Sequence, residues 1–310
     1  MSIAFYSAED VLKYHDLRLL MQEMDDTFKN LDAKNFVIPS RNLIFQDNPR
    51  SLFISMPALS HQHGLFINKT ATFFARESSS NLPSVHALVT IFSSTTGEPL
   101  ALMEGTSLTK IKCAAVSAMV THYCAAPNAS KLAIIGAGAQ AQQQFLGVCL
   151  VRDIKEIRIY NRSRDHLKRF ADEIRAAKGD TIKVIEADSI DTAIDGADII
   201  GTTTSSSTPI ATFTNLAPHV HINCMGSHAV ESREIPLKVL ENSLLIVEDI
   251  PTAIAEAGRI HRKAIDLHQL THTNVNSLQK TKTIFSSTGH ALLDVIAVAH
   301  VLSLSHKNKT

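Results

Sequence analysis

The stretch Leu132-Ala133-Ile134-Ile135-Gly136-Ala137-Gly138-Ala139-Gln140-Ala141 constrains this chain more than any other. A short apolar run stops at glycine, and Ala139 to Val151 then has the composition of a helix. G-x-G-x-x-A between a strand and a helix is a turn that receives a pyrophosphate. Its first glycine closes the turn, its second lets the backbone approach the phosphates, and a small third residue lets the helix pack on the strand. Gly136, Gly138 and Ala141 fill those places, with Ala139 and Gln140 between them at the helix start, where unpaired N–H groups attract an anion. Lys131 to Ile135, Glu156 to Tyr160, Lys183 to Glu186, Asp198 to Ile200, Val220 to Asn223 and Leu244 to Val247 read as strands, and Asp165 to Ala177 as a helix. This alternation predicts an α/β unit: a Rossmann-type, doubly wound parallel sheet with helices on both faces.

The residues before it follow a different pattern. Ser7 precedes Asp10 by three, a capping-box spacing, and Leu17, Leu20, Met21, Met24, Phe28 and Leu31 recur at helical spacing, which predicts one amphipathic helix of about six turns. After Pro39 come short β-rich runs at Asn42 to Phe45, Leu52 to Ser55, Gly64 to Phe74, Val85 to Phe92 and Leu100 to Met103. Thr95-Thr96-Gly97-Glu98-Pro99 joins the last two as a hairpin. A bridging helix from Ser107 to Cys124 leads into the nucleotide unit, and an apolar helix from Gly289 to Leu304 returns to the first unit or packs on a partner subunit. The expected division is a smaller α+β substrate-binding and dimerisation domain, 1–112 with 289–310, around a dinucleotide-binding domain, 113–288.

Composition narrows the function. Thirty basic and thirty acidic residues cancel, which removes the electrostatic case for a nucleic acid or an anionic membrane surface. No apolar run reaches the roughly 18 residues that span a bilayer, and the N-terminal residues show no secretory pattern, so a cytoplasmic protein is expected. Four scattered cysteines form neither a disulfide framework nor a zinc site. The pairs His61/His63 and His219/His221 lack an evident third ligand, and no metal is expected.

The end of the second strand of the nucleotide unit selects the cofactor. An acidic residue there receives the adenosine ribose hydroxyls of NAD. Here Tyr160-Asn161-Arg162-Ser163-Arg164 offers no carboxylate and two guanidinium groups suited to a 2′-phosphate, so NADPH/NADP+ is preferred, with NADH possible. Basic residues in a first helical turn oppose the helix dipole and need such a reason. The hydroxyl-rich loop Thr202-Thr203-Thr204-Ser205 follows the fourth strand, where a nicotinamide ribose would lie.

Beyond these residues, Leu102-Met103-Glu104-Gly105-Thr106-Ser107-Leu108-Thr109, Ala114-Ala115-Val116-Ser117-Ala118, Pro39-Ser40-Arg41, Lys69, Ile222-Asn223-Cys224-Met225-Gly226, Ala255-Glu256-Ala257-Gly258 and Ser287-Thr288-Gly289 occur in order. Together with the Gly136 turn this set resembles the ornithine cyclodeaminase/μ-crystallin family over nearly the whole chain. The resemblance implies a homodimer and hydride transfer at a carbon bearing both nitrogen and carboxylate. It also implies Arg41, Lys69 and Lys112 as cations holding the substrate carboxylate, and Ser84, Lys112, Met225, Gly226 and Ser287 as cofactor contacts. Lys69 lies among Phe66, Ile67, Phe73 and Phe74, so burial is expected to lower its pKa and suit it to proton transfer.

Departures from the family pattern sharpen the reading. Lys112 stands where most members carry arginine, and a point charge holds a carboxylate less rigidly than a guanidinium fork. His228 stands where cyclodeaminases carry an aspartate. Cyclodeamination needs a base to activate an amine, whereas reducing a ready-made cyclic imine needs only a hydride and a protonated nitrogen. The expected activity is therefore reduction of Δ1-pyrroline-2-carboxylate to L-proline, or Δ1-piperideine-2-carboxylate to L-pipecolate, with Lys69 and His228 as candidate catalytic residues. The rivals are an ornithine cyclodeaminase, an open-chain amino-acid dehydrogenase and a non-enzymatic binding protein. Ser286 replaces a residue that is often charged.

Overall fold

In the strand Leu65–Phe74 the buried residues are Leu65, Ile67, Lys69 and Ala71, and the residues between them are more exposed. That period of two makes a sheet with one covered face. The computed structural model describes residues 3–46, 51–74, 82–226 and 228–307, with His228 described by its backbone alone. The chain divides into two units: Met1–Met24, Asn30–Lys112 and His290–Thr310 form the first, and Asp25–Lys29 with Cys113–Gly289 the second.

The first unit is a mostly antiparallel sheet in the order Ala4–Tyr6, Pro99–Glu104, Val85–Ser93, Leu65–Phe74, Ser51–Ser60, Phe36–Val37, with Asn42–Phe45 also paired to Ser51–Ser60. Ala4–Tyr6 is parallel to Pro99–Glu104. The hairpin expected at Thr95 to Pro99 is present, with Gly97 at φ +77° in its turn. Met56, Lys69, Val89 and Met103 stand side by side across four strands on the buried face. The C-terminal helix Ala291–Lys307 packs on Ser51–Ser60 and Leu65–Phe74. It is apolar almost all round, as a buried helix must be.

The single N-terminal helix is corrected to two, Ala8–Lys13 and Leu17–Lys29. Ser7 caps the first in a capping box with Asp10, which ends at Tyr14 with non-helical dihedrals. Asp16 then caps the second, its Oδ1 accepting the Leu19 N–H at 2.9 Å. A second capping side chain, just ahead of the periodic apolar run, starts a separate helix there.

The second unit is an eight-stranded parallel sheet in the order Lys183–Glu186, Glu156–Tyr160, Lys131–Ile135, Ile199–Thr202, His221–Cys224, Thr283–Ser286, Leu244–Val247, Ile265–Asp266. Both faces are covered, so both faces of Lys131–Ile135 are apolar. Leu132 and Ile134 pack with Phe145, Val148, Leu167 and Phe170; Ala133 and Ile135 pack with Ala193, Ile194, Ile200 and Ile222. The chain steps from Lys131–Ile135 to two strands on one side and then crosses to Ile199–Thr202 on the other. That reversal makes the carboxyl end of Lys131–Ile135, where Gly136 lies, the topological switch point at which such sheets take their ligands.

Helix Arg164–Lys178 shows how local signals set one covering element. Ser163 caps it by accepting the His166 N–H, a bond of a kind that contributes about 1 kcal/mol. Leu167, Phe170, Ala171 and Ile174 bury one face, and Gly179 at φ +54° ends it.

Candidate active site

The first unit gathers two cations on one acid. Lys69 lies on the strand Leu65–Phe74, Lys112 on the helix that begins at Gly105, and Asp294 on the C-terminal helix. Both ammonium groups reach the same carboxylate oxygen, Asp294 Oδ1, Lys69 Nζ at 3.0 Å and Lys112 Nζ at 3.1 Å. Lys69 is 5% exposed, Lys112 4% and Asp294 not at all. Burial alone pushes the Asp294 carboxyl up; the Lys112 and Lys69 charges outweigh it and hold the group below its usual range. All three groups lie in a place with almost no water. Taking such charges out of water costs several kcal/mol per ion, so the cluster is poorly explained as a stabilising device.

Asp294 was not foreseen from sequence. The signal available was a lone carboxylate in the run Ala291-Leu292-Leu293-Asp294-Val295-Ile296-Ala297. The same carboxylate oxygen thus places a negative charge against both ammonium groups. Arg41 comes immediately before Asn42–Phe45, whose Asn42 pairs with Ser55 beside Met56, the cross-strand neighbour of Lys69. Its backbone therefore lies about two strand spacings from Lys69, roughly 10 Å. Ser84 is exposed, and its carbonyl accepts the Phe74 N–H at 2.8 Å.

In the second unit the Gly136 turn is tight on one side and open on the other. Gly136 has φ +104°, and a Cβ there would lie 2.8 Å from Thr203 Oγ1 and 3.0 Å from the Thr203 carbonyl oxygen. At Gly138 a Cβ would meet nothing within 4 Å, so the space over its Cα is open. Helix Ala141–Val151 has Gln140 at its N-cap with no side-chain capping bond, unlike the helices that follow Ser163, Ser189 and Asp249. Gln140 Oε1 is buried without a hydrogen-bond partner among the described residues. An uncapped helix start, an open approach and a waiting acceptor fit a dinucleotide.

Around this turn the predicted residues divide into those that shape it and those that face outward. Asn161 accepts the Ala137 N–H through Oδ1 at 3.1 Å and donates to the Ser163 carbonyl at 3.0 Å, tying the second strand's end to the turn. Arg164 pairs with Asp188 at 2.8 Å, whereas Arg162 is exposed and has no ion pair among the described residues. Thr202 is fully buried, and its hydroxyl donates to Glu234 Oε2 at 2.8 Å. Thr203 leans on the Gly136 carbonyl at 3.3 Å.

Glu234, also not foreseen, joins two loops. Its Oε1 accepts the Thr204 N–H at 2.6 Å and its Oε2 the Gly226 N–H at 3.0 Å. The residues after Ile199–Thr202 and after His221–Cys224 are thus held by one buried carboxylate. Burial, and then the Glu234 charge, drive the Cys224 thiol well above its ordinary range and leave it inert. Glu248 does the same for the next loop, accepting from the Ser287 hydroxyl at 2.5 Å and from the Thr288 and Gly289 N–H groups at 3.0 Å. Ser286 now has a reason to be uncharged: it is fully buried and bonds His261 Nε2 at 2.8 Å. Met225 lies 3.6 Å from the Ser117 hydroxyl.

The histidine pairs do other work. His63 bonds Ser60, and His221 is buried with its ring nitrogens on Thr283 and Asn223, burial pulling its pKa down to about 3. Among the described residues no group of three or more His, Cys, Asp or Glu is placed to hold a metal. The His228 side chain lies outside the described residues, and its backbone pairs with Arg233 in a two-residue ladder.

The profile of the ornithine cyclodeaminase/mu-crystallin family matches residues 1–308. The chain belongs to this family. Within it, the chain is 28% identical over 302 residues to the rat ketimine reductase mu-crystallin, covering 95% of both proteins. It is 29% identical over 287 residues to a Δ1-pyrroline-2-carboxylate reductase of Bacillus cereus, covering 88% of this chain and 87% of the relative. The structure of the Thermococcus litoralis Δ1-pyrroline-2-carboxylate reductase in complex with NADH and L-proline superposes with a TM-score of 0.88 at 25% identity, covering 99% of each chain. The parallel sheet with its second, mostly antiparallel sheet is therefore the family's fold.

Proposed function

We propose that this family member is an NAD(P)H-dependent reductase of small cyclic imino acids, with Δ1-pyrroline-2-carboxylate, reduced to L-proline, as its first substrate and Δ1-piperideine-2-carboxylate as its second. The observation that carries this reading is the pair of buried lysines on a single carboxylate oxygen. Lys69 and Lys112 bind the substrate carboxylate and Arg41 adds charge at their side. When bound, the nicotinamide supplies a hydride to the imine carbon. The electron pair of the C=N bond then settles on the ring nitrogen, which enters already protonated and leaves as an amine. His228, two residues after Gly226, is the candidate for keeping that nitrogen protonated before hydride arrives. The names of the relatives support the reaction class. No helix among the described residues is long and apolar enough to cross a membrane, consistent with a cytoplasmic enzyme.

The test is oxidation of NADPH, with NADH in parallel, in the presence of the pyrroline and piperideine carboxylates. Folded protein that reduces neither has another function, and ammonia release from ornithine would identify it as a cyclodeaminase.

Cofactor choice falls to Arg162, which is exposed at the end of the second strand and ready for a 2′-phosphate. Arg162→Gln is expected to raise the KM for NADPH about tenfold, one charge-assisted hydrogen bond's worth, and to leave that for NADH within twofold. Equal changes for both cofactors would remove Arg162 from the choice.

The outward face of the first unit's sheet supports a homodimer. Phe5 and Leu102 are opposite one another there, and so are Phe66 and Phe92; all four are more than a third exposed. A contiguous apolar face of this kind is a protein contact rather than a solvated surface. Light scattering should give twice the 33.9 kDa chain mass, and Leu102→Asp should give the single mass with its fold retained. A monomeric parent protein would end this part of the reading.

A further inference from the structure

We propose that Asp294 is the positioning residue of the cation pair: its Oδ1 draws the Lys69 and Lys112 ammonium groups to one point and lets both remain charged there. The proposal rests on the reading that this pair takes the substrate carboxylate, and it adds the group that makes such a pair possible. Bonds of 3.0 and 3.1 Å to one oxygen keep the two Nζ atoms within about 6 Å of each other. Two ammonium groups that close, each almost wholly buried, repel strongly, and without a shared counter-ion one of them gives up its proton. A clamp reduced to one charge binds a carboxylate poorly.

The setting argues that the acid is kept for this purpose. Asp294 Oδ2 is buried with no hydrogen-bond partner among the described residues, which costs stability, and every neighbour from Ala291 to Val298 is an apolar residue that packs without that cost. On the sheet, Met56 and Val89 flank Lys69; on the Gly105 helix, Leu108 lies one turn before Lys112. His290 is one turn before Asp294, and Arg41 is at the sheet's near edge.

The sign of the effect follows from linkage. In Asp294→Asn one lysine has a lower pKa folded than unfolded, so the unfolded chain binds more protons and stability rises with pH. Calorimetric melting of the parent and Asp294→Asn proteins from pH 6.5 to 9.5, in a His290→Gln background to silence that histidine, should show a Tm deficit that shrinks as pH rises. Adding Lys112→Gln to Asp294→Asn removes the repulsion, and the double variant should melt above the single one at pH 6.5 with a deficit that varies less steeply with pH. If Asp294→Asn does not fold at pH 6.5, recovery of folding in the double variant reports the same repulsion. A deficit that is constant with pH, or a double variant no more stable than the single, overturns the proposal.

A separate arm tests the reading beneath it. Pyrrole-2-carboxylate, a planar anion that takes no hydride, is titrated into the NADP+-loaded proteins at pH 6.5 and 8.5. The parent should bind equally at both, and Asp294→Asn at least tenfold more weakly at pH 8.5, with most of the loss recovered at pH 6.5. A parent protein that binds no carboxylate while the melting pattern holds would refute the substrate reading and leave Asp294's role standing. Weakening by the same factor at both pH values would make Asp294 merely structural.

Discussion

Lys69→Met lowers kcat/KM for Δ1-pyrroline-2-carboxylate by at least tenfold, and by a hundredfold or more if the whole buried interaction is lost, since breaking one partner of a buried pair costs about 3–5 kcal/mol. The fold should survive, because Asp294 keeps Lys112 at 3.1 Å and no buried carboxylate is left without a cation. Met has the length and the apolar stem of lysine and fits beside Met56 and Val89. The loss therefore reports a missing charge and not a cavity. Steady-state kinetics with each imino acid, alongside NADPH titration, make the check. A rise in substrate KM with unchanged cofactor affinity is expected, and unaltered turnover at low substrate would take Lys69 out of the mechanism.

Gly136→Ala removes nucleotide binding and destabilises the second unit together. Its φ of +104° is closed to an L residue at small cost, and the added Cβ would press on the Thr203 carbonyl, which is backbone and cannot swing aside. Several kcal/mol are at stake, a hundredfold or more in affinity. Gly138→Ala is the contrast: its Cβ would stand in open space, so the protein should melt as the parent does while NADPH binds at least tenfold more weakly. Fluorescence titration and thermal melting of both variants separate the two glycines. Normal NADPH affinity in Gly138→Ala would mean that the phosphates lie elsewhere.

Sequence patterns were informative where one local cause decides the outcome. The strand–turn–helix at Gly136 was legible because its glycines, its buried strand and its helix are contiguous, and that strand, Lys131–Ile135, was legible because it is apolar on both faces. Thr283–Ser286 was missed although it lies in the middle of the parallel sheet. Only Ile284 and Phe285 are apolar in that four-residue strand, and its polar ends, Thr283 and Ser286, are buried through bonds to His221 and His261, residues distant in sequence. The helix break at Tyr14 was missed because the Ser7 capping-box spacing was joined to an apolar period that begins only at Leu17, after the break. The carboxylates were the largest omission. Asp294, Glu234 and Glu248 each act on groups far along the chain, and nothing in the residues beside them states what they hold. Lysine and arginine drew attention because an anionic substrate asks for them; the acids that organise those cations and loops answer to the protein's own backbone.

The split makeup of the first unit, whose last segment is His290–Thr310, sets an order of events during synthesis. The strand and helix bearing Lys69 and Lys112 leave the ribosome long before the helix bearing Asp294, separated from it by the whole of Cys113–Gly289. At about 5–20 residues per second this interval lasts roughly 10–40 s. Through that time the nascent sheet has an uncovered inner face and two lysines that no acid has yet joined. Their mutual repulsion, and their hydration, disfavour premature closure and tend to keep that face wetted until the last helix arrives to seal it.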